Sequence, residues 1–490
     1  MQQLPEALYS VAQLRELEQR AIEDQGVPQL TLMTRAGTAA WECLRRRWPN
    51  AQCVVVLAGS GNNAGDGYVL ATLALRAKCD VLVVVVGEVD KLAGAAASAR
   101  GQYLAAKGCE QEFQNALPDT ADLFVDALFG VGLSRALEGR WAEAVNLLNT
   151  TRKPVLAIDI PSGVNADTGA ILGSAVRADA TVTFIGWKPG LFTGTGPACT
   201  GALELDALGL LPGMRATLTP TARFIADAEA HLPRRARDAH KGRFGHVLVI
   251  GGDHGMGGAP RLSAEAALRA GAGLVSAVTR PAHVAGFLAG LPEVMVRGLD
   301  EPGELAAVLE RASVVAVGPG LGRGDWGRIL FARALDTPLP LVVDADALSL
   351  LAAHPLTRGQ WILTPHPGEA ARLLQTTVAE VEHDRLAAAS RLIEKYRAVV
   401  VLKGVGTIVA AEGETPSICR YGNPGMAAPG MGDALTGIIA ALVAQGLPLP
   451  AAARAGVQVH ARAGDRAAQA GERGLTTRDL IAELRAVVNA

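Results

Sequence analysis

The stretch Asn423–Gly437 reads NPGMAAPGMGDALTG, and it decides the fold class of the second half of this chain. Gly422, Gly425, Gly430, Gly432 and Gly437 surround Pro424, Pro429 and a single charge, Asp433. Beyond Asp433 the chain turns almost wholly apolar (ALTGIIAALVAQG) and stops at Gly446, the pattern of a buried helix. A glycine turn opening such a helix presents unpaired N–H groups and the positive end of the helix dipole, an anion site suited to phosphate. Asp433 at its mouth is placed to take a proton from a hydroxyl that attacks the bound phosphate. Aspartate also caps helices; two glycine–proline turns running into one carboxylate favour the chemistry.

Working outward, strands are predicted at Val247–Ile250, Leu274–Val278, Val314–Val317, Leu341–Val343, Trp361–Leu363 and Val399–Leu402, with helical segments such as Ala259–Ala270 between them. That alternation gives an α/β domain with a mostly parallel sheet, completed by a helix at Asp465–Ala470 and the tail TTRDLIAELRAVV. Lys403, with Gly404 and Gly406, suits a nucleotide's phosphates through charge and backbone. His366 sits in a rigid Pro-His-Pro-Gly turn, a fair place for a ligand contact. Asp344 and Asp346 follow a strand and either hold a metal indirectly or cap the next helix.

The first half uses the same grammar. Helices are expected at Val11–Asp24, capped by Ser10, and at Leu30–Trp48. Strand Cys53–Ala58, the loop GSGNNAGDG at Gly59–Gly67, a helix and strand Val81–Val86 form a βαβ unit. The glycines are spaced GxGxxxG, which is not a dinucleotide fingerprint. Asn62, Asn63 and Asp66 suit a cation or hydroxyls, or equally a polar βα turn. Two further strands end in Asp126, followed by Ala127-Leu128-Phe129-Gly130, and in Asp159, followed by Ile160-Pro161-Ser162-Gly163. Loops after strand C-termini share one edge of a parallel sheet, so Asn63, Asp126, Asp159 and Ser162 can converge there. They would bring oxygen ligands for a hard monovalent cation and one carboxylate for proton transfer. Lys188, in the loop after the next strand, is expected to be solvated.

At 490 residues, with 49% hydrophobic and 19% charged residues, the chain is globular and divides into more than one domain. The boundary is placed near residue 225, giving domains 1–225 and 226–490. A net charge of −2 with no basic run argues against nucleic acid. The apolar runs are far too short to cross a bilayer, and the N-terminus MQQLPEALYS lacks an export pattern. Six scattered cysteines without a CxxC pair fit neither a disulfide framework nor a zinc site, so a reducing cytoplasm is expected.

The trio GNNAGDG, DALFGVGL and DIPSGVNADTG, with the leader LMTRAG at Leu32–Gly37, resembles the NAD(P)H-hydrate epimerase family over roughly residues 8–210. This implies K+ held by Asn63, Asp126 and Ser162, and a hydrate bound by Asn62, Asn63, Ala64, Gly65 and Asp66, by Gly130, Val131, Gly132, Leu133, Ser134, Arg135 and Ala136, and by Asp159. The family usually carries Gly where this chain has Ala64; the change is the smallest possible, and activity is expected to survive it.

The series KGRFGH, GPGLG, TPHPGE, LKGVGT and NPGMAAPGMGD resembles the ribokinase-like, ADP-dependent NAD(P)H-hydrate dehydratases over roughly residues 230–490. It implies hydrate contacts at Ala259, Gly320, His366 and Asp433, and nucleotide contacts at Lys403, Gly404, Val405, Gly406, Thr407 and Gly432, with ADP and Mg2+ as co-substrate and ion. Together the resemblances imply a Rossmann-like three-layer domain followed by a ribokinase-like α/β domain. Such a bifunctional enzyme acts on NADHX and NADPHX, the hydrates of NADH and NADPH, with Asp159 and Asp433 catalytic, as a homo-oligomer free of nucleic acid and membrane. The alternative is a ribokinase-like small-molecule kinase with an N-terminal nucleotide-binding regulatory module.

Overall fold

The computed structural model describes residues 6–490. Residues 1–5 of the expected first domain lie outside them. The chain divides into two compact units, the break falling between Ala222 and Arg223.

In the first unit seven strands form one parallel sheet in the order Cys109–Glu112, Asp80–Val85, Cys53–Ala58, Leu123–Ala127, Val155–Ile158, Ala180–Phe184, Ala202–Asp206. The apolar runs alternate between two cores because strand side chains alternate faces. Val54, Val56, Val83 and Val125 pack with residues of the helices Val11–Glu23, Gln29–Arg47 and Asn62–Arg76. Val55, Leu57, Val84 and Phe124 pack with Ala144, Val145 and Leu148 of the helix Arg140–Thr150. Three layers result. Chain order reverses between Cys53–Ala58 and Leu123–Ala127, the point at which a parallel sheet opens a crevice at its carboxyl edge.

The second unit holds a larger sheet. Parallel pairing runs through Val399–Leu402, Trp361–Leu363, Leu341–Val343, Val314–Val317, His246–Ile250, Leu274–Thr279 and Met295–Gly298. Two short strands, Ile408–Ala410 and Ser417–Ile418, continue antiparallel beyond Val399–Leu402. Over one face lie Gly258–Arg269, Met431–Ala444, Leu449–Ala467 and Thr477–Val487, whose apolar residues share a core with Val249, Ala316, Val342 and Val401. The helix expected at Asp465–Ala470 in fact begins at Leu449, since the alanine-rich run before it buries Ala452, Ala453 and Gly456. Gly437 makes this packing possible: a Cβ there would stand 2.0 Å from the carbonyl oxygen of Ser263. Among the described residues no helix is long and apolar enough to cross a membrane.

Candidate active sites

In the first unit the residues after Ala58 do not form the expected glycine loop. The helix Asn62–Arg76 starts inside it, so Asn62, Asn63, Ala64, Gly65 and Asp66 are its first turn and a half. Asn63 and Asp66, three positions apart, therefore share a face. Ala64 is helical and fully buried, so positive φ is not required of it. A cavity of about 520 Å3 opens beside this turn. Asn62, Asn63, Asp66, Gly130, Val131, Gly132, Leu133, Arg135 and Asp159 line it, whereas Ala64, Gly65, Ser134 and Ala136 do not. Three further side chains that sequence reasoning missed, Arg15, Glu18 and Lys188, also line it.

Lys188 corrects the sequence expectation most sharply. It is buried, not solvated: its Nζ donates to Asp159 Oδ1 at 2.5 Å, Thr183 Oγ1 at 2.6 Å and the Phe184 carbonyl at 2.9 Å. Burial pulls its pKa down, and Asp159 opposes that pull. Its place after the strand Ala180–Phe184 was the available signal, because the same strand-end logic found Asp126 and Asp159. Glu18 offered none, lying on an amphipathic helix remote in sequence. Asp159 occupies a left-handed backbone conformation, φ 68°, rare for a residue with a side chain. Burial, then Asp159 and Glu18, push the Asp66 carboxyl well above the usual carboxylate range.

Beside the cavity Asp126 is fully buried and accepts from the Ser162 backbone N–H at 2.7 Å and the Ser162 hydroxyl at 2.6 Å. Burial raises its pKa to about 6 against those bonds. Asn63 is buried with neither end of its amide hydrogen-bonded. Its Oδ1 and Asp159 Oδ2 each stand 3.3 Å from where a Cβ on Gly130 would be, so glycine leaves the gap between them open.

In the second unit Asp433 lies in the first turn of Met431–Ala444 but caps nothing: Gly430, at φ 88°, is the N-cap and supplies no side chain. Burial, reinforced by Asp344 and opposed by Lys403, raises the Asp433 carboxyl to about 7. Lys403 Nζ donates to Asp344 Oδ1 at 2.6 Å and stands 3.8 Å from Glu369. Gly432 faces that lysine; a Cβ there would sit 3.2 Å from Nζ. Glu369 is pushed to about 7 by burial, with Asp344 adding and Lys403 opposing. Its carboxylate accepts from the His366 backbone N–H at 2.8 Å, while His366 Nδ1 accepts from Gly368. Asp346 accepts from the Gly322 N–H at 2.9 Å. Ala259 opens the helix Gly258–Arg269 against Gly320, its Cβ 3.3 Å from where one on Gly320 would lie. That helix adjoins the Asp433 turn, with the Ser263 hydroxyl donating to the Asp433 carbonyl at 2.7 Å. Thus Asp433, Gly432, Lys403 and His366 gather at one sheet edge, with Ala259 and Gly320 on the neighbouring helix and loop.

The fold and these sites define a two-unit α/β enzyme, one unit built around a carboxylate–lysine cavity and the other around a carboxylate at a helix N-terminus. Residues 29–190 match a family described as YjeF-related protein N-terminus, and residues 247–486 match one described as NAD(P)H-hydrate dehydratase. The bifunctional NAD(P)H-hydrate repair enzyme Nnr of Coxiella burnetii is 49% identical, over 98% of this chain and 99% of its own. The protein of the same name from Escherichia coli is 43% identical, over 99% and 95%. A ribokinase-like superfamily protein of Enterococcus faecalis covers 56% of this chain and 99% of its own at 30% identity and a TM-score of 0.51. The chain belongs to the family of bifunctional NAD(P)H-hydrate repair enzymes.

Proposed function

We propose that the first unit interconverts the R and S hydrates of NADH and NADPH, and that the second dehydrates the S hydrate to NAD(P)H while ADP becomes AMP and phosphate. The observation that carries this is Asp433, left unbonded by its own helix and poised to ionise near pH 7 where that helix offers N–H groups to phosphate. In this reading Asp433 takes the proton of the hydrate's hydroxyl as the oxygen attacks the terminal phosphorus of ADP. The N–H groups of residues 430–433 and the Lys403 ammonium steady the transferring phosphoryl. Phosphate then leaves with its C–O bonding pair, the neighbouring ring carbon gives up a proton to water, and the ring double bond is restored; hydroxide is a poor leaving group and phosphate a good one. Gly404–Thr407 would hold the AMP moiety, and Ala259, Gly320 and His366 the hydrate. Mg2+, when bound with ADP, would neutralise phosphate charge.

In the first unit the reacting carbon bears both nitrogen and oxygen, so the ring nitrogen can expel the hydroxyl as water and water can return to the other face. Asp159 is the group proposed to move the protons, oriented by Lys188. The unpartnered Asn63 amide, with Asp126 and Ser162, fits a monovalent cation that takes oxygen ligands. K+ bound there would add a fixed positive charge beside the substrate. Six free cysteines, four of them buried, support a reducing, cytoplasmic setting.

Product analysis tests this reading. Incubating S hydrate of NADH with the protein, Mg2+ and ADP should give AMP and inorganic phosphate in equal amounts, followed by 31P NMR. A stable phosphate ester formed from ATP would instead identify a small-molecule kinase, the reading the family membership disfavours.

A further inference from the structure

Asp344 stands where a helix cap would, just before Ala345–Ala353, yet its side chain makes no capping bond. The carboxylate, 2% exposed, reaches across the sheet edge instead. One oxygen accepts from Lys403 Nζ at 2.6 Å and the other from the Thr436 hydroxyl at 2.8 Å. Thr436 is fully buried, one turn beyond Asp433 on the same helix. A Cβ on Gly432 would stand 3.2 Å from Lys403 Nζ and 3.7 Å from Asp344 Oδ2. The carboxylate therefore ties together the ends of two strands, Leu341–Val343 and Val399–Leu402, and the opening turn of the helix that carries Asp433. A carboxylate that only balanced Lys403 would not need Thr436.

We propose that Asp344 is the positioning residue of the phosphoryl-transfer site, holding the Lys403 ammonium beside Asp433 and fixing the first turn of Met431–Ala444 through Thr436. This rests on the reading of Asp433 as the base. Lys403 is then not a loose phosphate grip but a fixed charge, set where the phosphoryl must pass. The charged groups that face Asp433 are Lys403, Asp344, Glu369 and Asp346. His366 and the buried, neutral His460 feel the same lysine. Lys403 thus faces three of these carboxyls, Asp344, Glu369 and Asp433, while Asp346 pairs with Arg323. Removing the Asp344 charge releases Lys403 towards Asp433 and takes away the strongest of the charges that raise its pKa, so Asp433 ionises at lower pH.

The test is steady-state kinetics on the full-length chain carrying Asp344→Asn or Thr436→Val, across pH, with denaturant unfolding of the second unit in the same samples as a control for folding. In Asp344→Asn, kcat for ADP-dependent dehydration should fall about 100-fold, as for a misplaced catalytic group, while KM for ADP changes by less than about threefold. The acid limb of its pH profile should move to lower pH. Thr436→Val should lose about 10-fold in kcat with the limb in place. A kcat near that of the parent in either variant, or an unmoved limb in Asp344→Asn, overturns the proposal. If Asp344→Asn leaves the second unit unfolded, Thr436→Val decides alone. Asp433→Asn run alongside separates the two readings: dehydration surviving in it refutes the base itself, whatever Asp344 does.

Discussion

The Lys188 ammonium lies 2.5 Å from Asp159 Oδ1 at the wall of the first unit's cavity, and the lysine is closed off from solvent. Its three hydrogen bonds, to Asp159, Thr183 and the Phe184 carbonyl, all come from one sheet edge. The pair orients the carboxylate, so its two members are expected to fail differently when cut.

Lys188→Met leaves Asp159 beside the cavity without its cation. Breaking a buried pair from one side costs roughly 3–5 kcal/mol, and the partial exposure of Asp159 puts this case at the lower end. Thermal unfolding of the first unit should occur at lower temperature, and epimerisation should fall by about 100-fold. Asp159→Asn, nearly isosteric, should abolish epimerisation with a smaller change in unfolding temperature.

Dehydration should require an ionised Asp433. Its pKa is raised to about 7 in the fold, so the rate should decline as pH falls through 7, well above the range where an ordinary carboxylate titrates. The sign for stability is the opposite. A carboxyl whose folded pKa is raised stabilises the fold below its unfolded value, near 4, and that contribution is lost as pH rises through about 7. Asp433→Asn should therefore be inactive yet more stable at pH 8, by roughly 1–2 kcal/mol, measured by denaturant unfolding at pH 8 and pH 5.

Gly437→Ala should lose dehydration through packing alone. The added methyl meets the Ser263 carbonyl at 2.0 Å, too close for the helices Met431–Ala444 and Gly258–Arg269 to keep their contact. Overpacking of this kind costs about 1–3 kcal/mol, visible as a lower unfolding midpoint, while epimerisation continues.

Ala64→Gly restores the residue usual in the epimerase family. Because Ala64 is helical and buried, the change should cost about 0.5–1 kcal/mol and leave epimerisation within about twofold.

Much of this was legible in the sequence where physics is local. Cys53–Ala58, Val314–Val317, Leu341–Val343 and Val399–Leu402 are short apolar runs before glycine, aspartate or a Lys-Gly turn, and they are strands with those bounds. The aspartates at strand ends came together because a parallel sheet collects such ends on one edge. What escaped depended on partners far along the chain. Lys188 looked solvated because nothing near it in sequence announces Asp159. Asp344 offered a metal or a cap as its two roles; its side chain makes no capping bond and instead meets Lys403 and Thr436, 59 and 92 residues away in the chain. The GSGNNAGDG segment read as a loop because of its glycines, yet burial of Ala64, of Gly65 against Met33 and Ala96, and of Gly67 against Val56 and Ala127 holds them in helix.

The most direct measurement follows absorbance at 340 nm as a mixed-epimer NADH hydrate is incubated with the full-length protein, Mg2+, K+ and ADP. The expected result is recovery of all the reduced cofactor, faster than spontaneous epimerisation allows, and recovery limited to the S fraction in Asp159→Asn. Recovery that stops at the S fraction in the unaltered protein would contradict the epimerase role of the first unit. No recovery with either ADP or ATP would contradict the repair function as a whole.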